Sequence, residues 1–199
     1  MIIGLSGASG SGKTTLTNAL AGELRIRGYN VGVVKEVVRN VFPRYREKYG
    51  FKSLPELRKS PVVTQFQLEV FREQVRQEDE ADRRYELVIT DRTIYDNLFF
   101  TLFYHDSNYE LLEQYIEELK VFESRRYQLI FLCSPLHENV DDGFRTTDLH
   151  YRNLQQFVIR RLIPPEIPVH VVPSFSEPKN RAIRKRVEYC MRVLCDIIL

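Results

Sequence analysis

The stretch Gly7-Ala8-Ser9-Gly10-Ser11-Gly12-Lys13-Thr14 stands directly behind the apolar run Met1-Ile2-Ile3-Gly4-Leu5 and ahead of a helical pattern. Glycine at 7, 10 and 12 lets the backbone turn successive N–H groups toward one point. A helix starting near Lys13 adds its unpaired amides and the positive end of its dipole to that point. Lys13 can then reach the β- and γ-phosphates of a nucleoside triphosphate, and the Thr14 hydroxyl is placed to ligate Mg²⁺. Gly7, Ser9, Gly10, Ser11, Gly12, Lys13, Thr14 and Thr15 are therefore expected to hold ATP. A plain Gly/Ser-rich turn would lack the strand before and the helix after.

Outward from this loop, short apolar runs alternate with helical patterns, which predicts an α/β fold with a parallel sheet covered on both faces. The expected strands are 1–5, 31–35, 86–90, 127–132 and 168–172. The expected helices are 13–27, 61–83, 94–103, 109–124, 145–162 and 178–197. Leu16, Ala19, Leu20 and Leu24 form the apolar stripe of the first helix, and Val62, Phe66, Val70 and Val75 that of the second. Residues 43–60, punctuated by Pro43, Gly50 and Pro55, read as an irregular crossing over a pocket.

With 199 residues, 43% hydrophobic and 28% charged, the chain fits one domain over 1–199. No apolar run approaches the roughly 18 residues of a membrane span, and a loop beginning at residue 7 leaves no room for a targeting segment ahead of it. Cys133, Cys190 and Cys195 match no zinc or redox spacing. A cytoplasmic protein without membrane partners is the expectation. A net charge of +2 is too small to announce a nucleic-acid binder. Residues 177–199 nevertheless hold Lys179, Arg181, Arg184, Lys185, Arg186 and Arg192 against Glu177, Glu188 and Asp196. That stretch reads as a solvated helix face or a polynucleotide-facing patch.

Phosphoryl transfer needs a carboxylate for the metal, a group for the accepting hydroxyl and arginines over the moving phosphoryl group. All are expected at the carboxyl ends of the strands. Asp91 follows the third strand and is expected to share Mg²⁺ with Thr14, while Thr93 serves as helix cap. Arg92 is expected on phosphate. Glu36 closes the second strand and is read as the base toward the acceptor, with Arg39 on the same face. Asp141-Asp142-Gly143-Phe144-Arg145 opens the stretch after the fourth strand, and Arg145, with Arg152 two turns on, would close over the γ-phosphate. Gln67 is the candidate for contact with a nucleobase, and Phe66 stacks there or joins the core. Arg125, Arg126, Arg160 and Arg161 read as solvated.

In order along the chain, the loop 7–14, Val34-Lys35-Glu36-Val37-Val38-Arg39, Phe66-Gln67, Asp91-Arg92-Thr93-Ile94-Tyr95 and Asp142-Gly143-Phe144-Arg145 resemble the small P-loop nucleoside and nucleotide kinases. The resemblance implies a five-stranded P-loop kinase sheet with a helical lid over about 136–163. It implies Glu36 as base toward a sugar hydroxyl, Gln67 as reader of the nucleobase, and Arg92 and Asp91 at the phosphate and Mg²⁺. The lid segment is more similar to nicotinamide riboside kinases and their AAA-like relatives. Glu36 and Arg39 also reproduce an acid–arginine spacing similar to that of phage polynucleotide kinases, including those acting on hydroxymethylated bases in DNA.

The leading expectation is an ATP- and Mg²⁺-dependent kinase acting on a hydroxyl or phosphate of a nucleoside- or nucleotide-type acceptor, with a homodimer left open. A kinase acting on DNA is the alternative, and a nucleotide-dependent switch or ATPase module the second. Against a switch, no Asn-Lys-x-Asp guanine-reading segment occurs; against an AAA motor, the chain has no room for a second helical domain.

Overall fold

The computed structural model describes residues 1–123, 126–136 and 148–198. Five strands lie in one parallel sheet, β1 (Ile2–Ser6), β2 (Val31–Val34), β3 (Leu87–Asp91), β4 (Leu129–Cys133) and β5 (Val169–Val172), in the order β2-β3-β1-β4-β5. Every strand falls within one or two residues of its expected range. The three central strands are buried along their whole length. Successive side chains therefore feed opposite faces. Ile2, Val88, Ile130 and Leu132 point into one core, and Ile3, Leu5, Leu87, Ile89, Leu129 and Phe131 into the other.

Helices α1 (Lys13–Ile26) and α8 (Lys179–Ile198) cover the second face, with Leu16, Leu20 and Leu24 packed beside Cys190, Met191 and Leu194. The stripe of α1 is completed by Ala21 rather than Ala19. The first face carries α2 (Val38–Tyr49), α3 (Leu54–Leu57), α4 (Val63–Asp82), α5 (Ile94–Tyr104), α6 (Tyr109–Glu123) and α7 (Leu149–Leu162). Phe66, Phe71, Phe99, Tyr115 and Ile159 fill its core. No described helix is long and apolar enough to cross a membrane.

The irregular crossing expected over 43–60 is instead largely helical. Helix α2 runs through Pro43 and stops at Gly50, whose φ of 78° provides a left-handed cap. Proline inside a helix costs about 3 kcal/mol. Two buried side chains one turn apart, Val41 and Tyr45, are worth roughly 1.5–3 kcal/mol each on transfer from water, and Tyr45 meets Phe66 edge-on with ring centres 5.0 Å apart. Burial wins over the missing N–H. The chain leaves β1 toward β2 and later crosses to β4 on the other side, so a crevice opens at the carboxyl ends of β1 and β3.

Candidate active site

The phosphate loop follows β1 directly. Gly7 sits at φ 130°, and a Cβ there would lie 2.6 Å from the Cys133 carbonyl oxygen, so only glycine fits. Gly12, at φ 76°, is the residue from which α1 starts. A cavity of about 370 Å³ is lined by residues 10–15, with Glu36, Asp91 and Arg92 across from them. Lys13 is buried, and its Nζ donates to the carbonyl oxygens of Gly7 (2.7 Å) and Ala8 (2.8 Å) and to Ser11 Oγ (3.3 Å). Burial, and then repulsion from Arg92, pull the ammonium down to about 8. An arriving polyanion would reverse that shift.

Asp91 is the last residue of β3, not the first beyond it, and Thr14 Oγ1 donates to its Oδ2 at 2.6 Å. Burial raises the Asp91 carboxyl, against the opposing pull of the Thr14 hydroxyl and Lys13. A hydroxyl and a carboxylate facing each other beside a phosphate cradle are the hard oxygen donors that suit Mg²⁺. The residues fit the ion.

Glu36 lies just beyond β2 and faces the same cavity. Its Oε1 accepts from Arg92 Nε at 2.7 Å and its Oε2 from Arg39 Nε at 3.1 Å. Burial alone would raise its carboxyl, but Arg92 and then Arg39 bring it down to about 2. Glu36 thus stands at the cavity and fixes two guanidinium groups there. Arg92 itself has a φ of 97°, a conformation costing about 1–3 kcal/mol outside glycine. Its N–H donates to Leu5 O (3.0 Å) and its carbonyl accepts from Thr90 Oγ1 (2.8 Å), which hold the strained turn in place.

Asp96 was not anticipated as part of this site. It is fully buried and accepts from Ser6 Oγ (2.7 Å), Gly7 N (3.2 Å) and Thr93 N (3.0 Å). It joins the start of the phosphate loop to the helix cap after β3. The Thr93–Asp96 spacing of a capping box was the available signal, and that box forms.

The loop is also gripped from outside. Ala8 N donates to Gln156 Oε1 (3.0 Å) and Ser9 N to Gln155 Oε1 (2.9 Å), both from α7. Arg152, expected over the γ-phosphate, instead donates through Nε to Ser9 O (2.9 Å) and through Nη2 to Leu136 O (3.2 Å). From α8, Arg186 Nη1 donates to Ser11 O at 2.7 Å. Nothing but helical spacing linked these residues in the sequence. Arg152 is 2% exposed, so Arg152→Met should lower unfolding free energy by about 3 kcal/mol through unpaired buried carbonyls, as read by urea denaturation.

The burial of Arg186 changes the reading of the basic carboxyl-terminal stretch. Lys185 pairs with Glu177 and Arg184 with Glu188. Lys179, Arg181 and Arg192 remain as exposed cations without a pairing carboxylate among the described residues. Arg126, read as solvated, is instead nearly buried and pairs with Glu78 at 3.1 Å and Asp79 at 3.0 Å.

A second cleft, of about 470 Å³, adjoins the first. It is lined by the apolar Val38, Phe42 and Leu54 together with Ser9, Glu36, Arg39, Arg58 and Arg92. Glu36 and Arg92 line both spaces. Gln67 is not among the residues lining either cleft. It is 4% exposed and its carbonyl oxygen accepts from Asn97 Nδ2 at 2.8 Å, while Phe66 beside it is wholly core. The helix α4 rotates both into the interior. Arg58 was missed for the opposite reason, because the segment bearing it read as irregular. Arg145, with Asp141, Asp142, Gly143 and Phe144, lies outside the described residues, as does Arg125. Among the described residues no group of three or more His, Cys, Asp or Glu is arranged to hold a metal.

The AAA domain family matches residues 2–179 of the chain. No curated protein matches it. Among solved structures, deoxyadenosine kinase from M. mycoides with bound dATP is 18% identical, with 98% of each chain covered and a TM-score of 0.66. Thymidylate kinase from Ehrlichia chaffeensis is 23% identical over 98% of each chain, with a TM-score of 0.59. NadR protein in complex with NR is 21% identical, with a TM-score of 0.59; 94% of this chain covers 51% of that one. These likenesses establish a P-loop kinase fold for the five-stranded sheet.

Proposed function

This chain belongs to the AAA domain family, and from the geometry of its two clefts we propose that it is a kinase moving the γ-phosphoryl group of ATP to a nucleoside-type acceptor. The carrying observation is that the triphosphate cradle and the apolar-walled cleft share Glu36 and Arg92. A phosphoryl donor in one space and an acceptor in the other would meet at that ion pair. A module that only hydrolyses nucleotide has no use for the second space.

The loop amides of residues 10–15 and the Lys13 ammonium hold the β- and γ-phosphates. Thr14 and Asp91 would hold Mg²⁺, which when bound neutralises charge on the phosphate oxygens. Arg92 aims its guanidinium at the transferring group, kept there by Glu36 on one side and the strained backbone on the other. Arg39 extends the positive wall into the acceptor cleft.

The direct test is transfer of label from γ-labelled ATP to a panel of nucleosides, nucleoside monophosphates, nicotinamide riboside and oligonucleotides. Hydrolysis unaltered by every acceptor would remove the kinase reading. Label on oligonucleotides alone, with strongly salt-dependent binding, would favour the DNA alternative. Glu36→Gln should lower turnover about 10-fold while leaving ATP affinity within about 2-fold, because it loosens Arg92 without touching the loop. An equal loss in ATP affinity, measured by calorimetry, would detach Glu36 from the chemical step.

A further inference from the structure

We infer that the acceptor is a nucleoside monophosphate whose phosphate lies among Arg39, Arg58 and Arg92, so that the product is a nucleoside diphosphate. The inference rests on the kinase reading above and adds the charge of the acceptor. Three guanidinium groups and one carboxylate line the acceptor cleft. Glu36 is fully engaged, one oxygen to Arg92 and the other to Arg39. Donors are left over.

Arg92 Nη1 and Arg58 Nε are both shielded from water and have no hydrogen-bond partner among the described residues. The Asp96 carboxylate oxygen paired with Arg92 Nη1 is 3.6 Å away, beyond hydrogen-bonding reach. The Arg58 guanidinium lies 4.7 Å from the ring centre of Phe100 and 5.0 Å from that of Tyr104. Those rings set its position before any ligand arrives. A buried donor left unpaired costs about 1–3 kcal/mol, and planar guanidinium forks match phosphate oxygens. A neutral nucleoside would bring no charge to balance three guanidinium groups lined against one carboxylate; a phosphate monoester would bring it. Val38, Phe42 and Leu54, which line the same cleft, suit the flat apolar faces of a base.

The chemistry agrees with the charge. A phosphate monoester loses its second proton near pH 6, so its attacking oxygen is already deprotonated at neutral pH. That oxygen forms the new bond to the γ-phosphorus, the bond from that phosphorus to the bridging oxygen of ATP breaks, and ADP leaves with the electron pair. No proton has to be removed. Glu36, held down to about 2, is then free to act purely as the anchor of Arg92 and Arg39.

The test is calorimetric titration of nucleoside monophosphates of the common bases, and of their parent nucleosides, into the full chain with a non-hydrolysable ATP analogue and Mg²⁺. The preferred monophosphate should bind at least ~30-fold more tightly than its own nucleoside, as charge-assisted bidentate contacts require. Arg58→Met, which keeps an unbranched apolar side chain but removes the guanidinium, should cut that ratio about 10-fold, and Arg58→Lys should restore part of it. Melting temperature checks that each variant is folded. Nucleosides binding as tightly as monophosphates, or no monophosphate binding at all to the unsubstituted chain, would overturn the inference. Label transferred to a nucleoside hydroxyl would overturn it while leaving the kinase reading intact. Tight monophosphate binding without label transfer would keep the preference of the cleft and remove the kinase reading instead.

Discussion

Lys13→Met should reduce phosphoryl transfer about 1,000-fold or more, since a buried cation on the γ-phosphate stabilises charge that water cannot reach. The ammonium lies within the cradle it serves, bonded to loop carbonyls at 2.7 and 2.8 Å. Its replacement keeps the unbranched stem and the helix start, so circular dichroism should be unchanged while turnover collapses. The same residue predicts a pH dependence. An amine titrating at about 8 is charged below that pH and neutral above it. Affinity for ATP should therefore fall as pH rises from 8 toward 10. Binding restores the charge, so complex formation near pH 8.5 should take up a proton; titrations in buffers of different ionisation enthalpy would register it. Proton-neutral binding in Lys13→Met and proton uptake in the unsubstituted chain are the paired outcomes expected.

Arg92→Lys should cost about 100-fold in turnover with ATP affinity changed only a few-fold. A lysine keeps one positive charge but loses the planar fork that can hold Glu36 and, on the proposed reading, a phosphate oxygen at once. Burial disfavours the charge on Arg92, yet Glu36, Asp96 and Asp91 hold its pKa above the usual arginine value. Its backbone is at φ 97°, a strain lysine shares with arginine, so a lowered melting temperature would report the weakened bond to Glu36 alone. Single-turnover measurements would isolate the chemical step. A loss of ATP binding as large as the loss of rate would assign Arg92 to ground-state binding instead.

The sheet was legible because its strands are short apolar runs with turns between them, and β1, β3 and β4 are buried at every position. The phosphate loop was legible for another reason: its glycines and lysine obey a local rule, and local rules survive any tertiary context. Helix α2 was not, since Pro43 outweighs Val41 and Tyr45 when propensity is read along the chain, whereas burial against Phe66 reverses the balance. Arg58 went unread with it. Gln67 illustrates the opposite error: a polar side chain on an amphipathic helix was expected at a ligand, while the fold gives it Asn97 as an interior partner. Side chains that act on distant backbone, such as Gln155, Gln156 and Arg186, leave no periodic trace at all.

The bond from Arg186 to Ser11 joins positions 175 residues apart. During synthesis, the glycine-rich motif emerges long before that brace and those of α7. Nascent chains should thus acquire nucleotide affinity abruptly, when α8 docks, rather than as soon as the glycine-rich segment leaves the ribosome.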